Sequence, residues 1–127
     1  MKTAVLVVED NRANMKLATL LLSHAGYEVL QAESAAEGLV LARERQPALI
    51  LMDIQLPGMD GLEATRIIKA DPATRDIKVV ALTAFAMAGD EARIRAAGCD
   101  GYLAKPIDYR QFLVEVRCWL DSGETRA

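Results

Sequence analysis

The chain of 127 residues carries a net charge of −3 and offers no basic patch of the kind that binds nucleic acid. Its length suits one domain with a single buried core. One histidine and two cysteines without C-x-x-C spacing argue against a zinc site. The chain shows neither a signal-peptide pattern nor an apolar run of transmembrane length. We therefore expect a cytoplasmic protein with reduced thiols and no membrane contact.

Short apolar runs alternate along the chain with apolar stripes at helical spacing. Five runs predict strands at residues 4–8, 27–32, 48–53, 77–84 and 101–106. Five stripes predict helices: one from the cap Asn11 to Gly26, one from Ser34 to about Arg45, residues 62–70, an alanine-rich segment ending at Gly98, and one capped by Asp108. Ser34 and Glu37 also form a capping-box pattern.

This alternation implies an α/β fold, with a parallel sheet between two layers of helices. We assign residues 1–121 to one domain and residues 122–127 to a flexible C-terminal tail. In such sheets the functional crevice lies at the carboxyl ends of the strands. Residues just past each predicted strand are therefore the first candidates for a functional site.

Five polar residues stand at these ends: Glu9, Asp10, Asp53, Thr83 and Lys105. Neighbouring carboxylates repel by roughly a few kcal/mol at an effective dielectric of about 20, and one lysine cannot neutralise three of them. An all-oxygen ligand set suits Mg²⁺, or Mn²⁺, better than zinc. Carboxylates, a hydroxyl and an ammonium around such a cation make a phosphoryl site, in which Asp53 is the natural nucleophile.

Each of these residues also has a purely structural interpretation when it is taken alone. Asp53 precedes a turn, and Glu9 with Asp10 could support the dipole of the first helix. Thr83 could be only a β-former, and Lys105 a solvated surface charge. These interpretations are independent of one another, so their joint occurrence at four strand ends favours a functional site.

Four stretches carry a resemblance over essentially the whole chain: VLVVEDN, LILMDIQLPGMDG, VVALTA and GYLAKPI. In this order they resemble the response-regulator receiver family of two-component signalling, within the CheY-like superfamily. The resemblance implies a (βα)5 flavodoxin-like three-layer sandwich with a five-stranded parallel sheet of order 2-1-3-4-5. EDNRANMKL and TAFAMAGDEARIRAAGC resemble the single-domain DivK-type regulators, and also receivers attached to hybrid histidine kinases.

The resemblance implies roles for the acidic residues. Asp53 matches the phospho-accepting aspartate, which a sensor histidine kinase or histidine phosphotransferase phosphorylates. Glu9 and Asp10 match the acidic pair that holds Mg²⁺, with Asp53 and the backbone carbonyl of Gln55 as further ligands. Glu9 has a longer side chain than the residue at this position in the chemotaxis members of the family, so its contact with the metal is expected to pass through water.

The resemblance also implies a switch around the phosphoryl group. Thr83 matches the switch hydroxyl, and the backbone amide of Ala84 should face the same group. Lys105 matches the family lysine, followed by a cis peptide bond to Pro106. Tyr102 matches the aromatic switch that turns inward on activation. Gln55 and Phe85, two residues beyond Asp53 and Thr83, occupy the positions that tune phosphoryl lifetime.

The expected function is a phosphorylation switch in a bacterial cytoplasm. It would bias the surface of the fourth helix, fifth strand and fifth helix for a protein partner, and it would be a signalling protein, not a turnover enzyme. A flavodoxin-like cofactor binder would need a Ser/Thr/Gly-rich loop where this chain has VEDNRANMK. An aspartyl phosphohydrolase often carries a second acid where this chain has Gln55. Both remain as alternatives from other classes.

Overall fold

The computed structural model describes residues 2–83, 88–105 and 108–125, in which strands and helices alternate. The strands are β1 (Ala4–Val8), β2 (Glu28–Ala32), β3 (Leu49–Asp53), β4 (Lys78–Thr83) and β5 (Gly101–Ala104). The helices are α1 (Arg12–His24), α2 (Ala35–Arg45), α3 (Gly61–Ala70), α4 (Ala88–Ala96) and α5 (Tyr109–Thr125). All strand pairs are parallel, in the order β2-β1-β3-β4-β5. The predicted flavodoxin-like α/β fold is confirmed.

Alternate side chains of each strand enter two separate apolar cores. Val5 and Val7 of β1 point to one face, where they pack with residues of α1 and α5. Leu6 and Val8 point to the other face, where they pack with residues of α2, α3 and α4. Since β3 lies in the middle of the sheet, all five of its residues are buried. The three-layer arrangement therefore follows from the two-residue period of the strands.

The predicted helix caps are present. The side chain of Asn11 accepts a hydrogen bond from Asn14 N, and the side chain of Ser34 accepts one from Glu37 N. Asp108 accepts hydrogen bonds from two backbone amides in the first turn of α5. Helix α3 begins one residue before the prediction, because Asp60 caps it with a 2.8 Å bond from Glu63 N. These bonds satisfy amides that a helix leaves without partners.

The ends of several elements differ from the predicted bounds by one or two residues, which is the usual uncertainty of an element boundary. A larger difference concerns α5, which extends through Thr125 and so includes residues 122–125 of the predicted tail. An ion pair of 3.7 Å between Arg117 and Asp121, one turn apart, supports the last turns of this helix.

Two expectations from composition concern the thiols and the membrane. Cys99 is buried and Cys118 is exposed, and neither forms a disulfide. Burial raises the pKa of the Cys99 thiol above its ordinary value. In the described part of the chain, no helix combines the length and the apolar character that a bilayer-spanning segment requires.

Gly101 leaves room for the indole ring of Trp119 at the amino edge of the sheet. A Cβ at this buried glycine would overlap ring atoms of Trp119, with Cε2 at 3.0 Å. We expect Gly101→Ala to lower the free energy of unfolding by about 1–3 kcal/mol, the usual cost of overpacking. Urea denaturation should show a lower midpoint with an unchanged slope. A midpoint equal to that of the wild type would show that the ring can move away without cost.

Candidate functional site

The carboxyl ends of β1 and β3 bring three acidic residues together. These strands are neighbours, with Val8 opposite Met52, so the residues that follow Val8 lie beside Asp53. Among the residues that the structure describes, Glu9, Asp10 and Asp53 each offer a carboxylate oxygen within 4.8 Å of the others. Glu9 is 1% exposed and Asp53 is 3% exposed, whereas Asp10 is open to solvent. The carboxylates of Glu9 and Asp53 thus form the buried floor of the cluster, and that of Asp10 forms its exposed rim.

Lys105 lies between the two buried carboxylates. Its Nζ is 2.8 Å from Glu9 Oε1 and 3.0 Å from Asp53 Oδ2. Both contacts are ion pairs, and the contact with Asp53 is also a hydrogen bond. The backbone of Lys105 is anchored because its N–H donates to Thr83 O at 2.8 Å, one residue beyond the end of β5. The predicted convergence of a lysine on the acidic cluster is therefore observed.

Backbone amides two residues further along the chain orient both buried carboxylates. Asp53 Oδ1 accepts a hydrogen bond of 2.9 Å from Gln55 N. Glu9 Oε2 accepts one of 3.2 Å from Asn11 N, while the Asn11 side chain caps α1. The sequence pattern predicts only the cap at Asn11, so the contact of its amide with Glu9 is an addition to the site. Each carboxylate is thus held by its own loop on one oxygen and by Lys105 on the other.

The predicted switch residues lie on β4 and β5, the two strands that follow β3 on one side of the sheet. Thr83 is fully buried at the end of β4, directly after Leu82, which pairs with Asp53. Tyr102 is half-buried on β5 and packs against the core shared by α2, α3 and α4. Their positions agree with the predicted places, and their roles stay predictions. The expectations for Ala84, Phe85 and Pro106, including the cis peptide bond, fall outside the described residues.

The cluster has more negative charge than Lys105 can offset. Burial, reinforced by the nearby Asp53, raises the pKa of Glu9 from 4.5 to about 7. Burial alone would lower the pKa of Lys105, but its contacts with Glu9 and Asp53 outweigh burial and raise that pKa. Full ionisation of the cluster is therefore costly without a further cation. Three carboxylates with an open rim form an oxygen ligand set of the type that Mg²⁺ prefers, so the residues present fit this ion.

The fold and the acidic cluster together correspond to one known family. Residues 5–117 match the family model of the response regulator receiver domain. The chain belongs to this family. This family is distinct from the flavodoxin-like cofactor binders and from the aspartyl phosphohydrolases, the two alternatives from other classes.

Relatives of this receiver include whole proteins of nearly the same length. The polar-differentiation response regulator DivK of Brucella ovis is 50% identical over 120 residues, which cover 94% of this chain and 98% of that protein. The DivK protein of Brucella anthropi is 49% identical over 120 residues, with the same shares of the two chains covered. The predicted resemblance to DivK-type regulators is confirmed as a similarity along almost the full chain.

Solved structures of receivers superpose closely on this chain. A CheY-like receiver domain protein from Methanospirillum hungatei has a TM-score of 0.90 and 31% identity, with 100% of both chains covered. The receiver domain of a sensor histidine kinase from Pseudomonas aeruginosa has a TM-score of 0.88 and 33% identity, covering 95% of this chain and 99% of that one. That structure has a magnesium ion coordinated in its active site cleft.

Proposed function

We propose that this chain is a phosphorylation-activated switch in a two-component phosphorelay, with Asp53 as the phosphoacceptor. The observation that carries the proposal is the position of Lys105, which holds Asp53 at 3.0 Å and Glu9 at 2.8 Å beside the exposed Asp10. A buried carboxylate that faces a lysine on one side and an acidic rim suited to a divalent cation on the other is placed for nucleophilic attack on a phosphoryl group, because the two cations would offset the charge of that group.

The phosphoryl donor in this proposal is the phosphohistidine of a sensor histidine kinase or histidine phosphotransferase. A carboxylate oxygen of Asp53 attacks phosphorus, the P–N bond breaks, and the histidine nitrogen leaves with the bonding electrons. The product is an acyl phosphate that carries about two negative charges where the carboxylate carried one. Lys105 remains beside this added charge, and the Gln55 amide holds the carboxylate in place during attack. Mg²⁺, when bound, offsets charge on the transferring group, and Mn²⁺ shares its ligand preference.

We propose three further roles for groups around the phosphoryl site: binding Mg²⁺, tuning the lifetime of the acyl phosphate, and donating hydrogen bonds to its oxygens. We assign Mg²⁺ to Glu9, Asp10, Asp53 and the backbone carbonyl of Gln55, which lies at the start of the loop after β3. The Gln55 and Phe85 side chains would tune the lifetime of the acyl phosphate. Thr83 and the Ala84 amide would hydrogen-bond its oxygens, which the buried position of Thr83 at the end of β4 supports.

The proposed output surface is formed by α4, β5 and α5. Tyr102 lies on β5 between the core and the surface, so an inward turn of its ring would change this face. A protein partner would bind there, and the chain would act as a signalling protein in the bacterial cytoplasm, not as a turnover enzyme. The similarity to DivK proteins favours a role in polar differentiation, the process for which those relatives are named.

The test uses acetyl phosphate as a small phosphoryl donor and intact-protein mass as the measurement. We expect the wild-type protein to gain the mass of one phosphoryl group with Mg²⁺, and not with a chelator in place of the metal. Neutral hydroxylamine should remove the added mass, because it cleaves acyl phosphates and leaves phosphoserine intact. No gain with Mg²⁺, or a gain that survives both the chelator and hydroxylamine, would refute the proposed function.

A further inference from the structure

The first residue of α3 lies directly against the backbone of Asp53. A Cβ on Gly61 would overlap the carbonyl oxygen of Asp53 and would lie 2.8 Å from Ile54 Cα and 2.9 Å from Asp53 C. Gly61 N also donates to Ile54 O at 3.4 Å, so the loop of residues 54–60 closes on itself. The start of α3 and the end of β3 are therefore in direct backbone contact.

Space, not backbone conformation, requires glycine at position 61. The φ angles of Gly26, Gly58 and Gly98 lie in the left-handed region, whereas that of Gly61 does not. A different residue could adopt the Gly61 backbone, but its Cβ would meet backbone atoms, which cannot rotate away as the end of a side chain can. Any substitution at Gly61 must therefore separate α3 from the end of β3.

A buried threonine one turn further along α3 fixes the carbonyl of Gly61 within the first turn of the helix. Thr65 Oγ1 donates a hydrogen bond of 2.8 Å to Gly61 O, and Thr65 is fully buried. Cys99, just before β5, contacts the same hydroxyl with Sγ at 3.8 Å. Because a donor and its acceptor are both buried here, loss of the hydroxyl would leave Gly61 O without this partner.

We propose that Gly61 and Thr65 are positioning residues for the phosphoryl site, which set the place of the Asp53 carboxylate relative to Lys105 and the acidic cluster. The inference rests on the proposed function of Asp53. Because the side chain of Asp53 is short, a shift of the Asp53 backbone also moves its carboxylate. The Gln55 amide that orients Asp53 Oδ1 belongs to the loop that Gly61 closes. A displacement of the loop thus moves both the nucleophile and its hydrogen-bond donor.

The first test compares Gly61→Ala with Gly101→Ala, the same substitution at the opposite edge of the sheet. We expect Gly61→Ala to lower the rate of phosphoryl incorporation from acetyl phosphate by roughly 10-fold to 100-fold, as a misplacement of about 1 Å does. Mg²⁺ affinity should fall as well. Gly101→Ala should keep a rate and an affinity close to those of the wild type, although it is destabilised. Equal rates for Gly61→Ala and the wild type would overturn the proposal.

A second pair of variants keeps the proposal testable if Gly61→Ala does not fold. Thr65→Val removes the hydroxyl at nearly constant shape, and Thr65→Ser keeps the hydroxyl. We expect Thr65→Val to slow phosphoryl incorporation and weaken Mg²⁺ binding, and Thr65→Ser to retain most of both. Equal losses of rate and Mg²⁺ affinity in the two variants would show that Thr65 contributes only packing, and would overturn its positioning role. A wild-type protein that takes up no phosphoryl group would instead refute the function of Asp53.

Discussion

Replacing Asp53 by asparagine is expected to reduce phosphoryl incorporation from acetyl phosphate to background. The amide keeps the shape of the side chain and one oxygen for the Gln55 amide, but it lacks the second carboxylate oxygen that Lys105 contacts at 3.0 Å. It is also a poor nucleophile, and it removes one of the three carboxylates that suit Mg²⁺. Intact mass after incubation with acetyl phosphate and Mg²⁺ measures the loss directly.

The matched control for this variant is Asp76→Asn. Asp76 is exposed and precedes β4, at the amino edge of the sheet, so the same chemical change is made far from the acidic cluster. This control should take up one phosphoryl group as the wild type does. Phosphoryl uptake by Asp53→Asn at the wild-type rate would show that another residue is the acceptor.

Beryllofluoride binding offers a second measurement on Asp53→Asn, because this ion mimics a phosphoryl group on a carboxylate. The wild-type protein should gain thermal stability with beryllofluoride and Mg²⁺ through ligand linkage. Asp53→Asn should show no gain beyond that of Mg²⁺ alone. An equal gain in the two proteins would place the ion elsewhere.

The sequence was sufficient to locate the site because of the geometry of parallel sheets. The apolar run of β3 and the alternation of strands with helices predict the sheet, and the sheet determines which residues share its carboxyl edge. Asp53, Glu9 and Asp10 could therefore be assigned to the same edge of the sheet without further information. Family resemblance was needed for the order of the strands and for the roles of Thr83 and Tyr102.

Contacts that depend on tertiary packing were not predictable from the sequence. The ion pair between Glu9 and Lys105 requires two strands separated by β3 and β4 to present their ends at matching depth. The contact between Gly61 and Asp53 depends on how closely α3 approaches β3, and a Gly after Asp60 has an ordinary explanation as part of a turn. The separation of these residues along the sequence does not indicate how close they are in space.

The burial of Glu9 leads to the second prediction, a loss of stability as pH rises in the absence of Mg²⁺. The pKa of Glu9 is about 7 in the folded protein, whereas the unfolded chain has the ordinary value of 4.5. Between these values the folded protein binds more protons on Glu9 than the unfolded chain does, so this contribution to stability is present below about pH 4.5 and is lost as pH rises through about 7. A shift of this size corresponds to about 3 kcal/mol, and screening at the open rim reduces the expected loss to about 2 kcal/mol.

Glu9→Gln isolates this effect, because the titrating groups outside the acidic cluster are common to both proteins and cancel in the difference. With a chelator present, the variant should match the wild type near about pH 4 and exceed its free energy of unfolding by about 2 kcal/mol near about pH 8. Mg²⁺ should shrink or reverse the difference at the higher pH, since a cation stabilises the ionised Glu9 that the variant lacks. Urea denaturation at both pH values provides the measurement. Parallel pH profiles for the two proteins would mean that Lys105 alone offsets the charge of the buried carboxylates, and that no further cation is needed to stabilise the site.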